Sequence, residues 1–250
     1  MTNDITISVL GCGWFGKALA VDLINKGHLV KGSTTSLAKL DDLRQNGIQP
    51  YLIDLQNNNI QADFFDCDII IVACGANIGD LDKYCKQYNV KRLIFISTTG
   101  VYDGKGEVDE RSRTNTDKPH YIAEQRLASL PGLSVIRFAG LVGPGRLPGR
   151  FLAGKKDLPA GSAPVNLIHL EDCIGLTEAV IARPEIKLIN GVSPDHPTRV
   201  AFYRSAAEHE GLTPPQFNDA GGEQKLVHSY FAEIYQYQIN DWLTWINKGY

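Results

Sequence analysis

The 250-residue sequence predicts a doubly wound parallel α/β sheet with a small C-terminal lobe. Three observations point there. Apolar runs alternate with helix-like segments through the first half of the chain. Those runs are apolar on both faces, as strands buried between two helical layers must be. A Gly-x-Gly-x-x-Gly sequence, Gly11 to Gly16, stands directly after the first run.

Taken in order, Ile5 to Leu10 reads as a buried strand. Ala18 to Lys26 is a helix, with Leu19 and Leu23 at helical spacing and Gly27 closing it as a left-handed C-cap does. His28 to Val30 is a short second strand, and Leu37 to Asn46 a helix closed by Gly47. Pro50 to Ile53 is a third strand and Ile69 to Ala73 a fourth. Asp80 to Tyr88 is a short helix, and Arg92 to Ser97 another buried strand. Ile122 to Leu130 is helical, and Ser134 to Phe138 strand-like. Right-handed crossovers between such parallel strands give the doubly wound arrangement. Residues 140–164 are rich in Gly and Pro. Val165 to Ile168 and Leu188 to Val192 are later strands around a helix at Ile174 to Ala182. Pro194, Pro197, Pro214 and Pro215 then break the chain into short segments. These readings divide the chain into a core at 1–142, its sheet completed by 165–192, and a lobe built from 143–164 and 193–250.

Composition narrows the function. Hydrophobic residues are 43% and charged residues 21%, the balance of an ordinary globular protein. Lys plus Arg is 25 against 28 Asp plus Glu, a net charge of −3, which argues against a nucleic-acid binder. The longest apolar stretch, Ile69 to Ala76, is too short to cross a bilayer. The N-terminal Met1-Thr2-Asn3-Asp4 is polar and shows no signal peptide. There are five cysteines, at 12, 67, 74, 85 and 173, without a CxxC pair. Cys12, Cys67, Cys74 and Cys173 sit beside apolar residues, as buried reduced thiols do, and a cytoplasmic location is expected. The His and Cys residues have no metal-ligand spacing, so no metal is expected. The expected partner is a small-molecule substrate, with the protein a monomer or homodimer.

The glycine motif sits between a strand and a helix. Gly11 allows the tight turn, Gly13 lets the backbone approach a pyrophosphate, and Gly16 lets the helix pack on the strand. The helix N-terminus then faces the phosphates. Gly11 to Ala18 also reads GxxxxGK followed by Ala. A nucleotide-triphosphate loop needs Ser or Thr in that last place, so this rival fails and Lys17 is expected to be solvated. An NAD site usually places Asp or Glu after the second strand for the ribose 2′-OH. Here the segment is Val30-Lys31-Gly32-Ser33-Thr34-Thr35-Ser36, with no acid until Asp41. Hydroxyls on Ser33, Thr34 and Thr35 with a nearby lysine suit a 2′-phosphate, so NADP(H) is expected over NAD(H). The same hydroxyls also fit a turn that caps the next helix.

Three further stretches carry a resemblance. Leu93 to Tyr102, with Ser97 and Thr98 at its strand end, resembles the signature of extended short-chain dehydrogenases/reductases, the NAD-dependent epimerase/dehydratase superfamily. Arg137 to Gly145 resembles their loop beside the nicotinamide, and Asn166 to Asp172 their later strand-to-helix junction. Gly143 to Phe151 is similar to the run of the atypical, YeeZ-like subgroup. The resemblance covers almost the whole chain and implies a Rossmann domain with a small C-terminal substrate lobe. It implies that Trp14 and Phe15 offer backbone N–H groups to the pyrophosphate and that Asp54 contacts adenine. A helix N-cap is the other reading of Asp54. It further implies that Ala73, Cys74 and Gly75 line the adenosine ribose and that Ser97, Ala139, Gly140 and Leu141 belong to the cofactor site. Thr98 resembles the Ser/Thr that hydrogen-bonds the substrate oxygen.

The superfamily's chemistry uses Tyr-x-x-x-Lys on the following helix. Tyrosine, with an ordinary pKa of about 10, needs a nearby cation to act as a base near neutrality. The candidate here is Tyr121, but Gln125 stands where the lysine would be; Lys118 and Arg126 are near but out of phase. Arg146, Arg150, Lys155 and Lys156 form a basic stretch that fits either an anionic substrate, such as a nucleotide sugar, or a solvated loop. His169 and Asp172 read as structural, at a strand end and a helix start. Tyr235, Tyr237, Trp242 and Trp245 read as lobe packing or an interface. The sequence thus predicts an NADP(H)-dependent oxidoreductase or epimerase/dehydratase-like enzyme. The alternative is a dinucleotide-binding sensor or regulatory protein without turnover.

Overall fold

The structure is a computed structural model that describes residues 5–218, 220–221 and 224–249. The polar Met1 to Asp4 segment lies outside the described residues. The chain divides into two compact units. The first comprises Met1–Val101, Asn115–Arg137 and Val180–Leu188; the second comprises Tyr102–Thr114, Phe138–Ala179 and Ile189–Tyr250.

The strands of the main sheet are β1 (Thr6–Leu10), β2 (Leu29–Thr34), β3 (Gln49–Leu52), β4 (Ile69–Val72), β5 (Leu93–Thr98), β7 (Leu133–Phe138) and β10 (Leu188–Gly191). Their order is β10-β7-β5-β4-β1-β2-β3. β3, β2, β1, β4 and β5 run parallel. From β1 the chain steps outward through β2 and β3, then returns to β4 on the other side and continues to β5. The reversal leaves a crevice outside the carboxyl ends of β1 and β4, where open α/β sheets take their ligands.

Both faces of the sheet are covered. Ile70, Val72, Leu93 and Phe95 point into a core with Phe64, Leu81, Ala123 and Leu127. Residues of the other parity, Ile7, Val9, Ile71 and Ile94, are equally buried. Strand side chains alternate between faces, so burial of both parities requires apolar runs rather than alternation. The helices of this unit are α1 (Trp14–Asn25), α2 (Leu40–Gln45), α3 (Leu81–Gln87) and α4 (Pro119–Leu127).

Several boundaries differ from the sequence expectation. α1 begins at Trp14, directly on the glycine loop, rather than at Ala18. β2 continues to Thr34 rather than ending at Val30, because Lys31 to Thr34 pair with Gln49 to Leu52 of β3. α4 spans Pro119 to Leu127 rather than Ile122 to Leu130. Proline has no N–H to lose in a first turn, so Pro119 starts this helix.

In the second unit, β8 (Gly140–Val142) pairs in parallel with β9 (Leu167–His169), and β6 (Gly106–Val108) with β11 (Lys225–Val227). Its helices are α5 (Gly149–Leu152), α6 (Leu170–Ile181), α7 (Arg199–His209) and α8 (Trp242–Lys248). α6 starts at Leu170, four residues before the expected Ile174. Phe202, Trp242 and Ile246 pack with Val142, Val165 and Leu167 in its core, so Trp242 is a packing residue. Asp172 is fully buried and accepts from the Tyr235 hydroxyl (3.0 Å) and the Gln238 and Ile239 amides (2.7 and 3.1 Å). The His169 ring meets Trp245 edge-on at 5.2 Å. Asp172 thus ties α6 to the C-terminal segment, and His169 stands at the end of β9.

Candidate functional site

A cleft of about 400 Å³ opens at the carboxyl ends of four neighbouring strands. Gly11, Cys12 and Gly13 line it after β1, Ser33 to Thr35 after β2, Asp54 to Gln56 after β3, and Ala73 and Cys74 after β4.

The three loop glycines are required for three different reasons. Gly11 has φ of +98°, and a β-carbon on it would stand 2.9 Å from the Cys74 backbone. A β-carbon on Gly16 would meet the Gly11 carbonyl oxygen at 2.2 Å, so this glycine lets α1 seat against the strand end. Gly13 would meet nothing within 4 Å. It is the open position, exposed towards the cleft, where a phosphate can reach backbone. The α1 N-terminus has no side-chain cap and no acid in its first turn, which suits an anion. Trp14 and Phe15, placed there from the sequence, are the first two residues of that turn.

β2 braces this loop. The Gly11 amide donates to Ser33 Oγ at 2.9 Å and the Cys12 amide to the Ser33 carbonyl at 2.8 Å. Ser33 is buried and holds the loop as well as lining the cleft. Thr34 and Thr35 line the cleft beside it, with no carboxylate at the strand end. The lysine in that segment, Lys31, is turned elsewhere: its Nζ donates to the carbonyls of Asp63 and Asp66 at 2.6 and 2.8 Å. The cation on the cleft wall is Lys39, which the sequence reading missed. Lysine five residues past a strand end has no motif; only the short turn at Leu37–Lys39 brings it back. Lys17, expected to be solvated, is half-buried and paired with Asp42 at 2.6 Å.

Asp54 lines the cleft, and no helix follows it, so the N-cap reading is corrected. Its carboxylate accepts from the Gln56 amide (3.0 Å) and Asn57 Nδ2 (2.7 Å), and these bonds hold its pKa below the ordinary carboxylate range. Cys74, expected among the buried thiols, is exposed, because the chain has left the sheet there. Cys67 is half-buried, while Cys12 and Cys173 are buried as expected.

At the β5 end, Thr98 is half-buried and its Oγ1 accepts from the Gly100 amide at 3.1 Å. Ser97 points inward. Its hydroxyl donates to Glu124 Oε1 at 2.5 Å, and Arg137 makes two bonds to the same carboxylate, at 3.0 and 2.5 Å. Arg137 and Glu124 are each 5% exposed, so this ion pair fastens α4 to β5 and β7 from inside. Tyr121 is half-buried on α4, while Gln125 is exposed. Arg126 is tied to Asp82 (2.5 Å) and the Gly79 carbonyl (2.6 Å). In the second unit, the Ala139 amide donates to the Gly191 carbonyl and the Gly140 amide to the Asn166 carbonyl. A β-carbon on Gly140 would meet Leu167 Cδ2 at 2.8 Å, so this glycine serves the close β8–β9 packing; Leu141 pairs with Ile168. Among the described residues there is no cluster fit to hold a metal, and no helix is long and apolar enough to cross a membrane.

A glycine cradle at the reversal point of a parallel sheet defines an NAD(P)-binding protein of the Rossmann class. Residues 11–130 accordingly match a protein family described as NAD(P)H-binding. More particularly, the chain is 35% identical to protein YeeZ of Escherichia coli strain K12, over 88% of this chain and 90% of YeeZ, and it belongs to the YeeZ family. Its fold is that of the NAD-dependent epimerase/dehydratase superfamily. A functionally unknown conserved protein from Silicibacter pomeroyi aligns with a TM-score of 0.81 at 21% identity, covering 97% of each chain. The human epimerase family protein SDR39U1, solved with NADPH, aligns at 0.71 and 17% identity, covering 98% of this chain and all of that one. UDP-glucuronic acid 4-epimerase from Bacillus cereus, solved with NAD, aligns at 0.73 and 16% identity, over 97% and 99% of the two chains.

Proposed function

We propose that the protein binds NADP(H) and exchanges hydride with a carbonyl or hydroxyl carbon of a small anionic substrate, a nucleotide sugar being the leading class. One observation carries this reading: Gly11 and Gly16 are closed by their neighbours, while Gly13 between them stands open on the cleft. Preference for NADP(H) is supported by the absence of a carboxylate after β2 and by Lys39 on the cleft wall. The Gly13 backbone and the α1 N-terminus hold the pyrophosphate, Thr34, Thr35 and Lys39 the adenosine phosphate, and Asp54 the adenine. The cofactor supplies the hydride chemistry. Thr98 orients the substrate oxygen, and Tyr121 moves its proton. The second unit is the substrate lobe in this reading; Arg150 of its basic stretch is paired with Glu210 (3.5 Å), and the exposed Lys155 and Lys156 support an anionic substrate. Five free cysteines fit a protein of the cytoplasm.

The test is binding. Trp14 sits in the phosphate loop, so NADPH and NADH titrations followed by its fluorescence and by calorimetry report on the site directly. Tight NADPH and weak NADH binding is expected. Tighter NADH binding overturns the cofactor assignment, and no binding of either overturns the enzyme. One feature favours a sensor without turnover: Gln125 carries no charge, and Arg126 is already paired with Asp82. Cofactor binding without reduction across a broad carbonyl panel, or a Tyr121→Phe variant with unchanged turnover, would move the balance to that reading or remove Tyr121 from the chemistry.

A further inference from the structure

We propose that His120 is the side chain through which α4 holds the nicotinamide-side ribose of the bound dinucleotide. The inference rests on the dinucleotide reading above and adds a residue that the Tyr-x-x-x-Lys spacing does not select.

The helix face comes first. Ala123, Glu124 and Leu127 are the buried stripe of α4. Residue 120 lies three and four positions before Ala123 and Glu124, so it continues that stripe into the first turn. The ring is half-buried, and its Nε2 lies 3.9 Å from the point a β-carbon on Gly75 would occupy. Gly75, with φ of +77°, follows Cys74 in the turn that leaves β4. On the dinucleotide reading, the strand order gives the cofactor its course. The adenosine half lies over the ends of β2 and β3, and the pyrophosphate lies on the loop after β1. In this reading the remaining half runs past β4 towards β5, over the Gly75 turn, in place of the adenosine-ribose role that the family resemblance implies for Gly75.

Apart from Tyr121, which the reading above gives to the substrate proton, the polar alternatives on the same helix are occupied or misdirected. Glu124 is held by Ser97 and Arg137, Arg126 by Asp82, and Gln125 is exposed. His120 makes no side-chain hydrogen bond among the described residues. Burial keeps its pKa below the ordinary histidine value, against the opposing pull of Glu124, so the ring is neutral near pH 7. A neutral imidazole offers one donor and one acceptor, and a ribose diol answers both. Lysine could only donate.

The experiment compares two ligands on the whole chain. NADPH carries the second ribose, whereas 2′,5′-ADP stops at the adenosine half. If the wild-type protein prefers NADH, the pair is NADH and ADP. In calorimetry, His120→Leu should weaken NADPH binding roughly three- to tenfold, the loss of about one hydrogen bond, and leave 2′,5′-ADP unchanged. His120→Gln, which keeps a donor and an acceptor, should stay within about twofold of wild type. In the wild-type protein the His120 ring nitrogen resonances should shift with NADPH and not with 2′,5′-ADP, a readout independent of any variant's folding. Unchanged NADPH affinity in His120→Leu, an equal loss for both ligands, or ring resonances that ignore NADPH each overturn the proposal while the dinucleotide reading stands. A wild-type protein that binds neither ligand overturns both.

Discussion

The turn after β1 lines the cleft, and the helix after β5 faces the Gly75 turn; the two present their groups in different ways. At the first, the protein acts through backbone. Gly16 and Gly11 are fixed by distances of 2.2 and 2.9 Å that leave no room for a side chain, while Gly13 between them stays open. At the second, it acts through side chains, and what each can do depends on the phase of α4. Glu124 faces inward, Gln125 faces solvent, and His120 reaches the Gly75 turn. Backbone sites are therefore written in the sequence as glycine spacing. Side-chain sites are written only once the first residue of the helix is known.

The largest expected effect tests the inward face. Glu124→Ala leaves Arg137 buried without its carboxylate and Ser97 without its acceptor. A loss of about 3–5 kcal/mol is expected from urea denaturation. A loss below about 1 kcal/mol would show that the pair does not anchor α4. At the other end, Gly16→Ala forces a methyl against the Gly11 carbonyl. It should lower stability by about 1–3 kcal/mol and dinucleotide affinity by at least roughly tenfold. Gly13→Ala is the sharpening control, because nothing lies within 4 Å of its β-carbon. It should keep the melting temperature and lose affinity. Equal melting temperatures for the two variants would break the distinction between a packed and an open glycine.

The same contrast explains what was legible. The glycine loop, the parallel sheet and the buried strands follow from spacing and apolar runs, and β4 with its Ile69-Ile70-Ile71-Val72 is buried throughout. The helix boundaries did not follow. Pro119 can end an element or begin one, and only the packing of Ala123, Glu124 and Leu127 decides for a helix start. Lys39 was not legible because the lysine already in view, Lys31, satisfied the same expectation. Alternation along β2 sends Lys31 to the carbonyls of Asp63 and Asp66 instead.

Acidification should weaken the fold. His120, His169 and His196 all have pKa values lowered chiefly by burial. Between its lowered folded value and its ordinary value of about 6.5, each histidine binds more protons unfolded than folded, so stability falls as pH drops through that window. The depressed carboxyls of Asp54, Asp109 and Asp241 add a loss of the same sign further down, through their own folded values. Urea midpoints at pH 7.5, 6.5 and 5.5 should therefore fall in that order. A midpoint that rises towards pH 5.5 would mean the rings are not held neutral, and His120 would lose the acceptor its proposed ribose contact needs.

The smallest expected effect separates charge from backbone within the cofactor end itself. Lys39 is exposed and carries no ion pair among the described residues. Its attraction for a 2′-phosphate is therefore screened, and Lys39→Ala should cost about 1 kcal/mol, roughly fivefold, in NADPH affinity at low salt. The effect should shrink in 0.5 M salt and be absent for NADH, which has no 2′-phosphate to meet it. The Gly13→Ala loss should be the same for both dinucleotides, because the pyrophosphate is common to them. If Lys39→Ala weakened NADH as much as NADPH, the lysine would be reading the pyrophosphate. The hydroxyls of Thr34 and Thr35 would then be the only part of the β2 end left to favour NADP(H).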